Sequence, residues 1–122
     1  MRSWTVTDLA RPRSLNAERS GHWRKHRAET NEEVERWGWL WRAALPPGLH
    51  LARIDVEAAP SYKSRPQDTG NCYPSVKAAI DALVSLGVIP DDTGTHVAAI
   101  TMHAPDGTLK ADSLTITIQE AP

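Results

Sequence analysis

Residues 74–87 constrain the fold most, because they are apolar at a helical period and are bounded at both ends. Five apolar side chains recur every three or four residues and share one face of a helix: Val76, Ala79, Ile80, Leu83 and Val84. Proline is favoured in the first helical turn and glycine commonly follows the last one, which matches Pro74 and Gly87. A helix this short is stable only when its apolar face packs against another layer.

Four segments are predicted as strands, and all but residues 96–103 alternate between apolar and polar side chains, which is the period of a half-buried strand. They are residues 4–7, 50–57, 96–103 and 114–118. The strictest alternation is in the second segment, where Ala52, Ile54 and Val56 form one face. These segments therefore predict a sheet that supplies the missing layer.

A second helix is predicted over residues 31–44. Thr30 and Glu33 have the spacing of a capping box, in which the two side chains satisfy amide groups at a helix start. Residues 46–48, Pro-Pro-Gly, end the helix. The polar, arginine-rich residues 8–27 before it predict a loop.

The tryptophans of this helix fall on two sides. Trp37 and Trp41 share a face with Val34 and Ala44, so we expect them in the core. Trp39 lies roughly opposite. Three interpretations of Trp39 stay open: a dimer contact, a lone exposed aromatic and a group that stacks on DNA bases.

The element order is strand, helix, strand, helix, strand, strand. This order predicts an α/β (α+β) fold with a small mixed sheet of about four strands and two main helices packed on it. The chain has 122 residues, of which 40% are hydrophobic and 24% charged. Both the length and the composition are typical of a single globular domain, here residues 1–122.

Composition also bears on location. The sequence has no apolar run of about 18 residues and no apolar core of a signal peptide near its start, so we expect no membrane span. Its single cysteine, Cys72, excludes an internal disulfide framework and is expected to be a passive small residue. Together these features favour a cytoplasmic protein.

Charge is distributed unevenly along the chain, although the net charge is only -1. Residues 1–66 hold 12 lysines and arginines against 8 acidic residues, whereas residues 67–122 hold 2 against 7. A metal-dependent nuclease needs cations for phosphates and carboxylates for metal, so this asymmetry is compatible with one. Chance asymmetry in a small domain is an equally good interpretation.

The residues that suggest chemistry flank the helix predicted at residues 74–87. Asp68 precedes it after a long polar loop, Lys77 and Asp81 lie one turn apart on it, and Asp91 and Asp92 follow it. Carboxylates in this arrangement suit Mg²⁺, and a lysine beside them stabilises charge on a phosphate. Spacing alone favours the alternative of a surface ion pair between Lys77 and Asp81 and a polar turn after the helix.

This region resembles the RusA family of Holliday-junction resolvases. The family has D-x-D-N, then a lysine, then Asp-x-Leu, and a pair of aspartates after Gly-Val or Gly-Ile. Residues 68–92 have the related pattern D-x-G-N-x-x-P-x-x-K-x-x-x-D-x-L-x-x-x-G-V-I-x-D-D. Residues 14–16 and 22–24 are similar to an N-terminal element of the family, so the resemblance covers about residues 14–96.

The resemblance implies an endonuclease that uses Mg²⁺, or Mn²⁺ in its place, to cut four-way junctions and other branched DNA. Carried over by position, Asp68 and Asp92 hold the metal with Asp91, and Lys77 stabilises the transition state. Asn71 supports them. The resemblance also implies a homodimer, which presents two sites to two symmetric strands in the cytoplasm of a bacterium or a phage-infected host cell.

Five basic residues are candidates for phosphate contacts: Arg24, Lys25, Arg27, Lys63 and Arg65. The alternative is that they are solvated charges on loops.

Gly70 departs from the family pattern because it replaces the second aspartate, and the spacing from Asn71 to Lys77 is longer than in the enterobacterial form. The chain is then an enzyme in which Asn71 or Asp81 takes the vacant role, or a catalytically weak or inactive DNA-binding phage protein. A small interaction module without a nucleic-acid role is a more distant alternative.

Overall fold

Four strands and two helices are present in the computed structural model, which describes residues 1–15, 23–65 and 67–122 apart from the Trp23 side chain. In chain order they are β1 (Ser3–Asp8), α1 (Trp23–Ala44), β2 (Ile54–Ser61), α2 (Tyr73–Ser85), β3 (Val97–Met102) and β4 (Ser113–Glu120). The predicted fold class and element order are therefore confirmed.

The sheet is mixed and has the strand order β1-β4-β2-β3. β4 pairs antiparallel with both β1 and β2, and β2 pairs parallel with β3. Two parallel neighbours need a crossover connection, and α2 provides it between β2 and β3. The position of α2 is thus tied to the two strands that it joins.

The core lies between one face of this sheet and the two helices. Ile116 and Ile118 of β4 are fully buried, as are Trp37 and Trp41 of α1. The two indole rings are 5.6 Å apart between centroids, and the N–H of Trp41 donates to the Ala79 carbonyl of α2 at 3.1 Å. The prediction of both tryptophans as core residues is confirmed.

The opposite face of the sheet is polar where β1 meets β4. Thr5 pairs with Thr117 and Thr7 pairs with Thr115, with hydroxyl oxygens 2.9 and 2.8 Å apart. Alternation in both strands sends the apolar residues to the helices and the threonines to the other face.

Helix α2 matches the prediction closely. It covers Tyr73–Ser85 with Pro74 in its first turn, and Gly87 just after it has a φ of 75°. That left-handed conformation is easily adopted only by glycine, which explains why the helix ends here.

Within the described residues, neither helix combines the length and the apolar character needed to cross a membrane. α2 has 13 residues, and the 22-residue α1 is rich in charged side chains.

The predicted boundary of β2 was wrong by four residues. Residues 50–53 precede the strand, which runs over Ile54–Ser61 instead of residues 50–57. The amide of Leu51 donates to the Val88 carbonyl at 2.7 Å, and His50 Nδ1 lies 2.9 Å from the Gly87 carbonyl oxygen. These residues therefore pair with the turn after α2, and strand pairing begins only at Ile54.

The predicted start of α1 was also wrong, because the helix begins at Trp23 and not at residue 31. Thr30 lies in its interior, where its hydroxyl donates to the His26 carbonyl at 2.8 Å and lies 2.9 Å from Arg13 Nη1. Residues 23–27, predicted as a loop, are helical. The capping-box spacing of Thr30 thus serves a tertiary contact within the helix.

Glu33, the other residue of the predicted capping box, is a buried carboxylate at a junction of three segments. It accepts hydrogen bonds from Arg13 Nε at 2.7 Å and from the Ser75 hydroxyl at 2.6 Å, and only 3% of it is exposed. Arg36, one turn later, donates to both carboxylate oxygens of the buried Asp8. These contacts fix β1, the segment after it and α2 to α1.

We expect Glu33→Ala to lower the free energy of unfolding by about 3 kcal/mol, because it leaves Arg13 and Ser75 without their shared acceptor. Urea denaturation measures the change. Glu32→Ala is the matched control, since the neighbouring Glu32 is exposed and its loss should change stability by about 0.5 kcal/mol or less. Equal stability of the two variants would contradict the role assigned to Glu33.

Candidate functional site

Lys77 of α2 contacts two carboxylates. Its Nζ donates to Asp81 Oδ1 at 2.6 Å and also contacts Asp92 Oδ2. Asp81 is within reach because it lies one helical turn after Lys77. About two-fifths of each of the three side chains is exposed, so the cluster is open to solvent.

Asp92 reaches Lys77 because the chain reverses after α2. The reversal follows Gly87, and Val88 and Ile89 then enter the core. Val88 is held further by its carbonyl, which accepts the Leu51 amide. The segment therefore returns along the helix and brings Asp92 beside a lysine that precedes it by 15 residues.

The contacts shift the pKa values of both partners. Partial burial lowers the pKa of Lys77, but hydrogen bonds to Asp81 and Asp92 outweigh it and raise that pKa above its usual value. The hydrogen bond from Lys77 lowers the pKa of Asp92. Lys77 is therefore protonated and Asp92 ionised across the neutral range.

Asp91 is engaged in a different contact. Its Oδ1 accepts hydrogen bonds from the Thr93 amide at 2.9 Å and the Thr93 hydroxyl at 2.6 Å, which also lower its pKa. Its other oxygen lies 3.8 Å from Nε2 of His96. Asp91 thus stabilises the polar turn that leads into β3.

Asp68 lies in the turn before α2 and is exposed. Its backbone carbonyl accepts the Asn71 amide at 3.1 Å, but its carboxylate has no hydrogen bond or ion pair with another described residue. Among the predicted site residues the structure thus brings Lys77 and Asp92 into contact. Within residues 1–15, 23–65 and 67–122, no three His, Cys, Asp or Glu side chains group closely enough to hold a metal ion together.

The turn before α2 also explains Asn71 and Gly70. The side-chain oxygen of Asn71 accepts the Leu15 amide at 3.2 Å, and its side-chain nitrogen donates to Gln67. Gly70 has a backbone φ of 86°, a conformation that residues other than glycine adopt only with strain. A Cβ at Gly70 would meet nothing within 4 Å, so the backbone conformation is what requires glycine here.

Asp81 and Asp92 form a pair of oxygen donors that suits a cation. Both carboxylates contact the same ammonium nitrogen, so the contacting oxygens lie within about 6 Å of each other. Mg²⁺ and Mn²⁺ prefer such oxygen ligands, and Mg²⁺ keeps several waters when only one or two carboxylates bind it. The donor set therefore fits the metal that the resemblance implies, with Lys77 competing for the same oxygens.

The basic candidates lie on two elements. Arg24, Lys25 and Arg27 are exposed in the first two turns of α1, where Lys25 is 4.0 Å from Glu29. Lys63 and Arg65 are exposed in the loop between β2 and α2. The structure thus leaves all five side chains at the surface, although on separate segments.

Arg11 holds the loop between β2 and α2 in place. Its guanidinium donates to the carbonyls of Ser64 and Arg65 at 2.8 and 3.2 Å and lies over the ring of Tyr62. The N-terminal family-like element includes Asn16 and His22, which lie outside the described residues.

Cys72, beside Asn71, is buried, and burial raises the pKa of its thiol to about 11. The thiol is therefore protonated at neutral pH, and it is not available as a nucleophile.

Asp81 was considered only as one of two residues, with Asn71, that could take the acidic role left vacant at Gly70. Its spacing of four residues from Lys77 already predicted the contact, but spacing alone favoured an ordinary ion pair. The resemblance implied that Lys77 and Asp92 belong to one site, and their direct contact depends on the reversal of the chain after Gly87.

No protein-family model matches the chain, and no curated protein matches it.

Replacing Lys77 by methionine should raise the pKa of Asp92, because the hydrogen bond and the positive charge that lower it are removed. With a lowered folded-state pKa, the ion pair stabilises the native state above the pKa of an unfolded aspartate. That stabilisation is lost as the pH falls through the lower folded value. Carboxyl-carbon NMR titration measures the shift.

The matched control is Lys110→Met, which removes an exposed lysine of the loop before β4. It should leave the titration of Asp92 unchanged. An Asp92 pKa that is the same in the native chain and in Lys77→Met would contradict the contact.

Proposed function

We propose that this chain is a Mg²⁺-dependent endonuclease that acts on branched DNA such as four-way junctions. The observation that carries the proposal is the exposed cluster in which Lys77 contacts Asp81 and Asp92. Phosphodiester hydrolysis needs carboxylates that hold a metal ion and a positive group beside the same phosphate, and these three side chains have that chemistry. The pattern shared with the RusA family over residues 68–92 is the second support.

Each residue of the cluster has a distinct role in this proposal. Asp81 and Asp92 hold the cation through their carboxylate oxygens, and the ionised state of Asp92 at neutral pH favours this. The cation, when bound, polarises the phosphate and supplies an activated water. Lys77 then turns its ammonium from the carboxylates to a phosphate oxygen and stabilises the charge that develops there.

The family's other residues take supporting roles. Asp68 is exposed and its carboxylate is not engaged by a described residue, so it is available as a further ligand when DNA is bound. Asn71 and Asp91 hold the turns on either side of α2 through Leu15 and Thr93. Asp68 is thus a further metal ligand in this proposal, whereas Asn71 and Asp91 position the segments that carry the ligands.

DNA binding in this proposal uses the exposed basic side chains of α1 and of the loop before α2 as phosphate contacts. A homodimer presents two clusters to two strands of a junction, in the cytoplasm of a bacterium or phage-infected cell.

A non-catalytic DNA-binding protein on the same fold is the second candidate. It is favoured by the contacts of Lys77, whose single charge is already compensated by two carboxylates. Gly70 points the same way, because it provides no carboxylate at the position where the family has its second aspartate.

Cleavage of a synthetic four-way junction decides between the two candidates. We expect incision with Mg²⁺ or Mn²⁺ and none with EDTA, and a loss of about 100-fold or more in Asp92→Asn, which removes a metal-binding charge. Asp106→Asn is the matched control, because Asp106 is exposed in a separate turn with Thr108. Binding of the junction without incision would favour the second candidate, and equal incision by Asp92→Asn would contradict the proposed site.

Two substitutions at Gly70 separate backbone strain from the missing carboxylate. Both Gly70→Ala and Gly70→Asp should lower the free energy of unfolding by about 1 kcal/mol, because φ at this position is 86°. If the vacant acidic position limits the reaction, Gly70→Asp incises the junction faster than Gly70→Ala. Equal rates in the two variants would mean that glycine is present for the backbone alone.

A further inference from the structure

An apolar pocket lies where the chain turns at the end of α1 and at the end of α2. Most of its lining is apolar, and the principal side chains are Trp41, Leu45, Pro47, Leu49, Leu86 and Val88. Among the described residues that line it, Arg42 is the one with a charge. The volume is about 250 Å³. Pockets that enclose a drug-sized ligand have about 300–1,000 Å³, so this pocket is sized for a single large side chain.

A groove adjoins this pocket and runs back between α1 and α2. Arg42 and Leu86 line both the pocket and the groove, so the two are continuous. Gly38 also lines the groove, and a Cβ added there would meet nothing within 4 Å. Trp39 borders the groove with 63% of its surface exposed. The surface therefore has room for several residues of an extended chain beyond the one in the pocket.

Two opposite charges lie at different points of this surface. Arg42 is exposed where the pocket meets the groove, and Glu35 is exposed along the groove alone. In the part of the chain that the structure describes, neither has an ion-pair partner, and the guanidinium of Arg42 lies 5.1 Å from the centroid of the Trp39 ring. The two residues are about two helical turns, or roughly 10 Å, apart along the axis, which is too far for them to pair with each other.

We propose that the pocket and the groove bind the C-terminal segment of a partner protein. This segment ends in a large aliphatic or aromatic residue and has a lysine or arginine three residues earlier. The last side chain enters the pocket, the terminal carboxylate accepts hydrogen bonds from Arg42, and the basic side chain pairs with Glu35. An extended chain rises about 3.3 Å per residue, so three residues span the roughly 10 Å between the two charges.

The neighbouring positions of the pocket and Arg42 select a chain terminus. The pocket takes an apolar group and Arg42 takes an anion directly beside it. A C-terminal residue supplies both, because its side chain and its carboxylate leave the same Cα. Arginine and carboxylate form strong, often bidentate hydrogen bonds, and an arginine beside an aromatic ring still has N–H groups to donate.

Glu35 sets the charge that the segment has at its other end. A basic residue there is attracted, whereas an acidic residue meets a like charge and is rejected. The surface includes none of the metal-binding or DNA-binding candidates, so this proposal and the proposed nuclease activity are able to fail separately.

Fluorescence anisotropy with four octapeptides tests the proposal. Each peptide has fluorescein at its N-terminus and ends in Lys-Ala-Ala-Leu, Lys-Ala-Ala-Phe, Arg-Ala-Ala-Leu or Arg-Ala-Ala-Phe. At least one should bind the native chain saturably with a dissociation constant of about 100 μM or tighter. The same peptide with a C-terminal amide should bind at least tenfold more weakly, because amidation removes the charge that Arg42 recognises.

Charge exchange tests the register of the bound segment. R42E should weaken binding at least tenfold, because it puts a carboxylate opposite the peptide terminus. E35R should weaken binding of the basic peptide at least threefold and should bind more tightly than the native chain to a peptide with glutamate at the basic position. Lys110→Glu is the control for the same charge reversal elsewhere, and circular dichroism checks that each variant is folded.

Amide NMR locates the bound peptide independently of these variants. The largest shift changes should fall on residues that line the pocket and the groove, among them Gly38, Gly48 and Leu86. The amide of Asp92, beside the lysine cluster, should change little.

Failure of all four peptides to bind would overturn the proposal. So would equal binding of the amidated peptide, native affinity in R42E, or largest shift changes outside the pocket and the groove. An apparent peptide affinity that weakens as the concentration of the native chain rises would mean that a second copy covers the surface, which would overturn the proposal as well.

Discussion

The packing of α1 against its neighbouring segments depends on the hydrogen bonds of one buried carboxylate on this helix. Glu33 receives hydrogen bonds from Arg13, in the segment after β1, and from Ser75, in the first turn of α2. Burying a carboxylate is costly unless charged and polar partners compensate it, so these partners have a defined position relative to α1. The turn that carries Asp68 to Cys72 leads directly into the helix that Ser75 anchors, and Lys77 lies two residues further on.

Local sequence patterns predicted those helices and strands whose apolar residues recur with the period of the element itself. Helix α2 and strand β4 were placed correctly, since each has a clear apolar face, and strand β3 was placed correctly although only Val97 of it is buried. The start of α1 was not, because Thr30 and Glu33 have the spacing of a cap but are used to bind Arg13. The start of β2 was misplaced for a similar reason: alternation over residues 50–53 does not reveal that they pair with the turn after α2.

The candidate site was predictable in part. The spacing of Lys77 and Asp81 on α2 gave one ion pair, and the resemblance singled out Asp92. Sequence alone did not distinguish the neighbouring aspartates, yet Asp92 contacts Lys77 and Asp91 binds Thr93. That difference follows from the direction in which the chain turns after Gly87, which depends on how Val88 and Ile89 enter the core. The role of Asp68 stays a prediction, because its carboxylate contacts no other described residue.

The central claim is that Asp81 and Asp92 are cation ligands and not only partners of Lys77. The most direct measurement is anomalous diffraction from crystals of the native chain soaked with Mn²⁺. The account predicts an anomalous peak between the Asp81 and Asp92 carboxylates, within about 2–2.5 Å of an oxygen of each, with the ammonium of Lys77 displaced from one or both. Crystals in which the Mn²⁺ peak lies elsewhere, or in which Lys77 keeps both contacts at saturating Mn²⁺, would contradict it.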